Sequence, residues 1–430
     1  MSQGAPAIEG QPAPAASVPG GTAASWWRWV LLGVAAVVAL FLVLRPIVLP
    51  VRGYGSHYLY LARHLSQGDL TVDTLPSRFQ DHVEWNGHKY LPLGPLPGVL
   101  LIPFLPVADP ETTKDVVWAG YLFTALNAWL FWLVLGLAGV RDERRGWATL
   151  AFFGGTTYLS VAAVGTSWFF AHIVVTTLLL AAVGETLGKR RAWLVGLYLG
   201  LAGLTRMTAL FALPFFLWMF WRGGRGEEDA EPSPARRPLP WREAGLVAAG
   251  LAIPLALLFA YNYARFGSIL ESGYGHAFLR NPVLAEALSQ GLFSAAHIPK
   301  NLFMMLLQGP LPYPHENAAV LSFPYVQPSQ WGMGLFFVTP ALVYIFRAPL
   351  RSPLVQACWL GVLAVMVPVI TYYGIGWIQF GFRYALDFVP FLMVLLALGL
   401  PRPMTVLSRV LVLASVVVSL WGTLWLISWV

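Results

Sequence analysis

The chain has 430 residues, of which 57% are hydrophobic and only 11% charged. Soluble domains carry roughly twice that charged fraction, so the composition excludes a soluble globular protein and predicts an all-α integral membrane protein. The formal charge of +7 comes from short basic clusters between apolar stretches, which excludes nucleic acid as the partner, and the single cysteine, Cys358, excludes an intramolecular disulfide.

Residues 1–24 are rich in Pro, Ala and Gly, lack the basic start of a cleavable signal peptide, and read as a disordered cytoplasmic tail. Residues 25–430 read as one polytopic membrane domain. A bilayer core about 30 Å thick takes roughly 20 apolar residues per helix, and on that basis about 11 spans are predicted, within a range of about 10 to 12. They lie near 27–48, 116–140, 147–164, 167–185, 192–205, 208–221, 244–262, 332–346, 353–373, 385–400 and 406–429. The short pair within 192–221 competes with one long tilted helix.

Lys and Arg in short loops favour the cytoplasmic side. The clusters Arg141 to Arg145, Lys189 to Arg191, Arg222 to Arg242, Arg347 with Arg351, and Arg402 with Arg409 fall on one side if 192–221 is a hairpin of two helices. That choice places the N-terminus inside and the C-terminus outside. It leaves two long outer loops, 49–115 and 263–331, and one longer cytoplasmic loop, 222–243, whose Glu227, Glu228, Asp229 and Pro-rich run read as a solvated connection. All eight histidines fall at the outer face, so the chemistry is expected there.

In the first outer loop, Tyr58, Leu61, Ala62 and Leu65 recur at helical spacing while His57, Arg63 and His64 fall on other faces, which predicts an interfacial helix. His57 and His64 stand two turns apart, roughly 10.5 Å, too far to chelate one metal by themselves. Residues 81–97 then pack Asp81, His82, Glu84, Trp85, Asn86, His88, Lys89 and Tyr90 beside a Pro-Gly turn. A carboxylate here is a candidate general base on an acceptor hydroxyl, with Trp85 and Tyr90 as flat faces for a sugar; a plain solvated turn is the competing reading.

The second outer loop opens with Arg265, Glu271 and His276 among glycines. Residues 298–308 predict another interfacial helix, with Lys300 placed either to meet a lipid phosphate or to snorkel. Arg206 stands between the two short helices. Arg383, Tyr384 and Asp387 stand at the outer end of the 385–400 span, where Arg383 and Asp387 share a helical face at spacing i, i+4. Ionisable groups beside hydrocarbon are costly, so a functional role is the first hypothesis and a structural ion pair the second.

The Tyr58 to Ala62 helix, Gly87 to Pro97, Gly200 to Arg206, Tyr261 to Tyr274 and Phe380 to Asp387, in this order, resemble the GT-C-fold polytopic glycosyltransferases. These include protein O-mannosyltransferases and the lipid A aminoarabinose transferase. The resemblance covers nearly the whole chain after the tail. It implies a multi-pass protein of the bacterial inner membrane that moves a sugar from a polyprenyl-phosphate carrier to a glycan, lipid or protein acceptor on the extracytoplasmic face. The reaction implied is an inverting displacement. By the same resemblance Arg206, Lys300 and Arg383 bind the phosphate, with Arg265, Glu271, His276, Tyr384 and Asp387 as further binding candidates, and a carboxylate takes the acceptor proton. No metal-ligand set is assigned, and a divalent metal stays open as a cofactor.

One position departs from the family pattern, because the first outer loop there opens on an acidic residue or pair where this chain has Tyr54 and Gly55. Either His57, Asp81 or Glu84 substitutes as the base, or the protein keeps lipid-carrier binding without transfer. A secondary transporter or flippase is the remaining alternative. The chain shows no internal repeat, and its embedded charges sit near the outer ends of spans instead of mid-depth, which weighs against it.

Overall fold

Five apolar stretches fold as uninterrupted α-helices long enough to cross a bilayer. They were located in a computed structural model that describes residues 56–76, 79, 81–110, 117–222, 239–276, 281–314 and 320–429. The five are α3 (Val117–Leu137), α6 (Ser167–Leu187), α9 (Trp241–Phe266), α13 (Pro353–Thr371) and α15 (Val406–Trp429). At 1.5 Å per residue even the 19-residue α13 reaches about 28 Å. A sixth crossing is available if α4 (Arg144–Gly155) and α5 (Tyr158–Val164), bent by 55° at their junction, act together. The described residues are mostly helical, with two small two-stranded sheets among them.

The other predicted spans are shorter and broken. The 192–221 stretch divides at Arg206 into α7 (Ala192–Thr205) and a 3-10 turn, Met207–Ala212, that leads into α8 (Leu213–Arg222). The expected 332–346 span is a four-residue helix followed by a 3-10 segment, Pro340–Arg347. Pro340 supplies the reason, since it lacks an N–H and pushes Thr339 out of the helical region, to φ −128° and ψ 76°. The 385–400 stretch opens with a 3-10 turn, Arg383–Asp387, before α14 (Val389–Gly399). The expected tail 1–24, the expected 27–48 span, Tyr54, Gly55 and residues 223–238 of the expected cytoplasmic loop lie outside the described residues.

Small residues let these helices approach closely, as apolar helices do where side chains gain nothing by leaving lipid. A Cβ on Gly250 of α9 would sit 1.8 Å from the Trp193 carbonyl of α7, and one on Gly196 would sit 2.0 Å from the Val247 carbonyl. The two backbones therefore touch, and Gly200 meets the Pro254 ring in the same seam. A buried amide ties three other helices together: Asn127 of α3 donates to the Tyr158 hydroxyl of α5 at 2.7 Å and to the Ile173 carbonyl of α6 at 2.9 Å.

The segment expected as the first outer loop folds onto this body. Its helix α1 (His57–Ser66) is capped by the Ser56 hydroxyl. Leu59, Tyr60 and Leu61 are fully buried and His57 and His64 nearly so, so the helix is covered over most of its surface, with Arg63 and Ser66 left to solvent. It packs under α2 (Leu96–Leu101), where Gly98 lies against Leu61, and against Phe170 and Val174 of α6. His64 bonds Asp69 at 2.6 Å and Thr74 at 2.8 Å, fixing the following turn. Next comes a hairpin that no sequence expectation foresaw: β1 (Val83–Trp85) pairs antiparallel with β2 (His88–Tyr90) through Asn86-Gly87. Both turn residues have positive φ, 51° and 81°, as a two-residue hairpin requires.

Candidate functional site

Arg206 is placed by the end of α7. Its own backbone is extended, at φ −148° and ψ 113°, so the chain leaves the helix there and the side chain turns into a cavity of about 820 Å³. The first outer loop crosses this helix end at Gly94, where a Cβ would lie 2.2 Å from the Leu204 carbonyl and 2.6 Å from that of Thr205. Only glycine permits that crossing, and it brings Leu93 and Gly94 into the same wall as Arg206.

The Arg206 guanidinium is aimed by Asp387. Its Nε donates to both carboxylate oxygens, at 2.7 and 3.0 Å, and the Thr208 hydroxyl donates to the same carboxylate. Asp387 is fully buried and contributes nothing to the cavity wall, and His172 Nδ1 lies 3.4 Å from it. A bare carboxylate is not stable away from water, and here one guanidinium and one hydroxyl hold it. The helical pairing of Arg383 with Asp387 expected from their spacing does not form. In a 3-10 turn, residues four apart leave the common face, so Arg383 lines the cavity while Asp387 turns behind it to Arg206.

Arg383 has no carboxylate within ion-pair distance among the described residues. Its Nη1 donates to the Trp377 carbonyl at 3.3 Å, its Nε is buried without a partner, and its guanidinium lies 5.2 Å from the Tyr384 ring centroid and 5.3 Å from that of Phe169. Arg265, at the end of α9, is likewise without an acid. Its three nitrogens donate to the Tyr261 carbonyl, the Leu91 carbonyl and the Asn262 side chain, at 3.3, 2.6 and 3.0 Å, and it lies over the Tyr261 ring at 3.7 Å. The bond to Leu91 fastens the first outer loop to the start of the second.

Asp81 also lines the cavity, with φ +62°, a left-handed conformation that aspartate tolerates better than most residues. It has no hydrogen-bond or ion-pair partner among the described residues. His57 is also in the wall, its Nδ1 2.6 Å from the Ser167 hydroxyl and its ring against Phe79 and Trp168. The cavity thus joins Asp81 and His57 with Arg206, Arg265, Arg383 and Tyr384, and Asp387 stands behind them.

The remaining candidates lie elsewhere. Strand alternation turns Glu84 outward, where its side chain is 73% exposed and meets His82 at 3.6 Å. Glu271 accepts the Gly273 amide at 2.6 Å and lies 3.6 Å from a half-exposed His276; both shape a surface turn. Lys300 is half-buried at the start of α11 (Ile298–Leu306), away from the cavity wall, and burial pushes its ammonium below the usual lysine range. In that helix the anchoring residue is Asn301, which donates to the carbonyls of Ile370 and Tyr372 at 2.8 and 2.7 Å. Trp85 and Tyr90 are not sugar platforms in the cavity. They close on Phe266, with ring centroids at 6.1 and 5.4 Å, and clamp the two outer loops together. Sequence reasoning also passed over Thr208, Tyr274 and Tyr372, and took Tyr58 only as an apolar contact; a hydroxyl on an aromatic beside a charged motif was the available signal. Among the described residues, no three His, Cys, Asp or Glu side chains converge to hold a metal.

No family model and no curated protein matches the chain. Among solved structures, the chain is similar to the archaeal oligosaccharyltransferase AglB from Archaeoglobus fulgidus, solved in complex with an inhibitory peptide and a dolichol-phosphate. The identity is 13% and the TM-score 0.44, over 94% of this chain and 56% of that one, so this chain spans little more than half of that protein's length.

Proposed function

We propose that the protein is a membrane glycosyltransferase that moves a sugar from a polyprenyl-phosphate carrier to an acceptor hydroxyl on the extracytoplasmic face. One observation carries the reading: a single cavity between apolar helices unites the unpaired carboxylate of Asp81 with Arg265 and Arg383, two guanidiniums lacking acid partners among the described residues. Uncompensated cations beside hydrocarbon favour an anionic lipid headgroup. In the reaction, the acceptor oxygen attacks the anomeric carbon from the face opposite the phosphate, and its proton passes to the Asp81 carboxylate. The bond from that carbon to the phosphate oxygen breaks, and its electron pair leaves with the polyprenyl phosphate. Arg383 stabilises the charge that gathers on the departing phosphate, and the sugar is delivered with inverted configuration. Asp81 takes the role of the acid that Tyr54 and Gly55 do not supply.

The test is carrier binding and sugar release by the purified protein, comparing wild type with Asp81→Asn, Glu84→Gln, His57→Ala and Arg383→Ala. Asp81→Asn is expected to lower turnover by about 100-fold or more with the carrier still bound, Glu84→Gln to behave as wild type, and Arg383→Ala to weaken carrier binding. Carrier binding without turnover across a broad acceptor panel would indicate a lipid-binding protein that does not catalyse. Failure of the wild type to bind carrier would sink the transferase reading and restore the transporter.

A further inference from the structure

Charge and hydroxyl groups are unevenly spread over the cavity wall. Tyr58, Tyr274, Tyr372 and Tyr384 all line it, and three of the rings form a chain. Tyr274 meets Tyr372 edge-on at 6.2 Å, and Tyr372 meets Tyr384 edge-on at 6.0 Å. The Tyr384 ring touches both cationic parts of the site, with the Arg206 guanidinium 5.4 Å and the Arg383 guanidinium 5.2 Å from its centroid. Those two cations differ in kind. Arg206 is already neutralised by Asp387, whereas Arg383 is not. Arg265 is uncompensated too, but each of its nitrogens already donates to a protein oxygen. One anionic group is therefore enough to complete the site, and Arg383 is where it fits.

Around the neutralised pair, the wall offers hydroxyls and aromatic faces. Tyr58 is 1% exposed, and its hydroxyl is buried with no hydrogen-bond partner among the described residues. An unpaired buried hydroxyl is destabilising, and a ligand hydroxyl can relieve that by pairing with it. Burial pushes the Tyr58 and Tyr274 phenols up, each partly countered by the field of Arg206, so both remain neutral donors. Asp81, the proposed base, lines the same cavity as these hydroxyls.

We infer that Tyr58, Tyr274 and Tyr384, grouped about the Arg206–Asp387 pair, form the subsite for the transferred sugar, and that this sugar is uncharged and presents a hydroxyl to the Tyr58 oxygen. The phosphate lies at the Arg383 end. A uronic acid would have to draw on Arg265, whose three nitrogens are already engaged by protein oxygens, and an amino sugar would bring its ammonium into a wall that carries Arg206, Arg265 and Arg383. Aromatic faces and neutral donors suit a hexose or its deoxy relatives. The assignment rests on the carrier reading above.

The full chain in lipid nanodiscs is titrated with three probes: bare polyprenyl phosphate, its neutral hexose conjugate, and its glucuronic acid conjugate. Wild type is expected to prefer the hexose conjugate over the glucuronate by about tenfold or more. Tyr58→Phe breaks no hydrogen bond among the described residues, so its melting temperature is expected to stay that of wild type. It is expected to weaken binding of the hexose conjugate by about tenfold and leave bare polyprenyl phosphate unchanged. Arg383→Ala is expected to weaken all three. Equal weakening of the bare carrier by Tyr58→Phe would assign that hydroxyl to the phosphate and overturn the sugar subsite; no weakening of any probe, or a preference for the glucuronate, would overturn it as well. A wild type that binds none of the three removes the carrier reading itself, a result distinct from each of these.

Discussion

Asp387 acts on the site without touching the cavity, and its effect is measurable apart from chemistry. Removing one partner of a buried ion pair costs about 3 to 5 kcal/mol because the other charge is left uncompensated. Asp387→Asn is therefore expected to lower the unfolding midpoint in detergent and also to weaken carrier binding, since Arg206 loses the bond that aims it. A variant that lost binding at an unchanged melting temperature would place Asp387 in direct contact with ligand. Acid acts at other residues. Burial alone would raise the Asp69 and Asp73 carboxyls, but the Thr71 and Lys89 amides and the His64 and His88 rings hold both below the usual aspartate range. A depressed carboxyl stabilises the fold above its unfolded value, near about 4, and that contribution is lost as pH falls through the lower folded value. Amide protection, measured relative to the intrinsic exchange rate at each pH, is expected to be high across residues 69–90 at pH 7 and to fall below about pH 4, ahead of the helices.

At the scale of elements, the apolar runs were legible because a bilayer demands length and hydrophobicity, and composition records both. Where helices break was harder to read. Pro340 and Pro390 stood in the sequence as interruptions, yet the spans around them were drawn through, because apolar character alone does not distinguish an α-helix from a 3-10 turn. The site was half legible. Arg206, Arg265, Arg383 and Asp81 carried the signal of charge beside hydrocarbon, whereas Glu84, Glu271, His276 and Lys300 carried a similar signal and lie away from the cavity wall. Side-chain direction within a loop depends on contacts distant in sequence, such as Gly94 against the end of α7, and no local pattern encodes it. That crossing sets an expectation: Gly94→Ala forces a Cβ into two carbonyls and is expected to cost about 1 to 3 kcal/mol, read as a lowered melting temperature, with carrier binding falling as Arg206 shifts.

At the scale of the whole molecule, the two outer loops and the ends of α7, α9 and α13 converge on one cavity, so sidedness becomes testable with single residues. Cys358 is fully buried, and the native chain is expected to resist a membrane-impermeant maleimide. Cysteine placed at the exposed Glu84 is expected to label in intact spheroplasts, and cysteine at the exposed Arg351 only after lysis. The reverse pattern would invert the orientation drawn from the basic loops.

The backbone contact between α7 and α9 has a consequence for what the protein can accept. Arg206 ends one of these helices and Arg265 ends the other, while Gly196 and Gly250 press their main chains together without an intervening side chain. The pair works like the fixed jaws of a caliper, whose opening is set by helix length and register. Side-chain changes in the cavity can retune what is held, but the gauge itself changes in helical steps. One residue inserted in α7 would turn Arg206 by about 100° and move it about 1.5 Å. Descendants of this chain are free to trade one hydroxyl for another, and they are not free to stretch the frame gradually toward a larger headgroup.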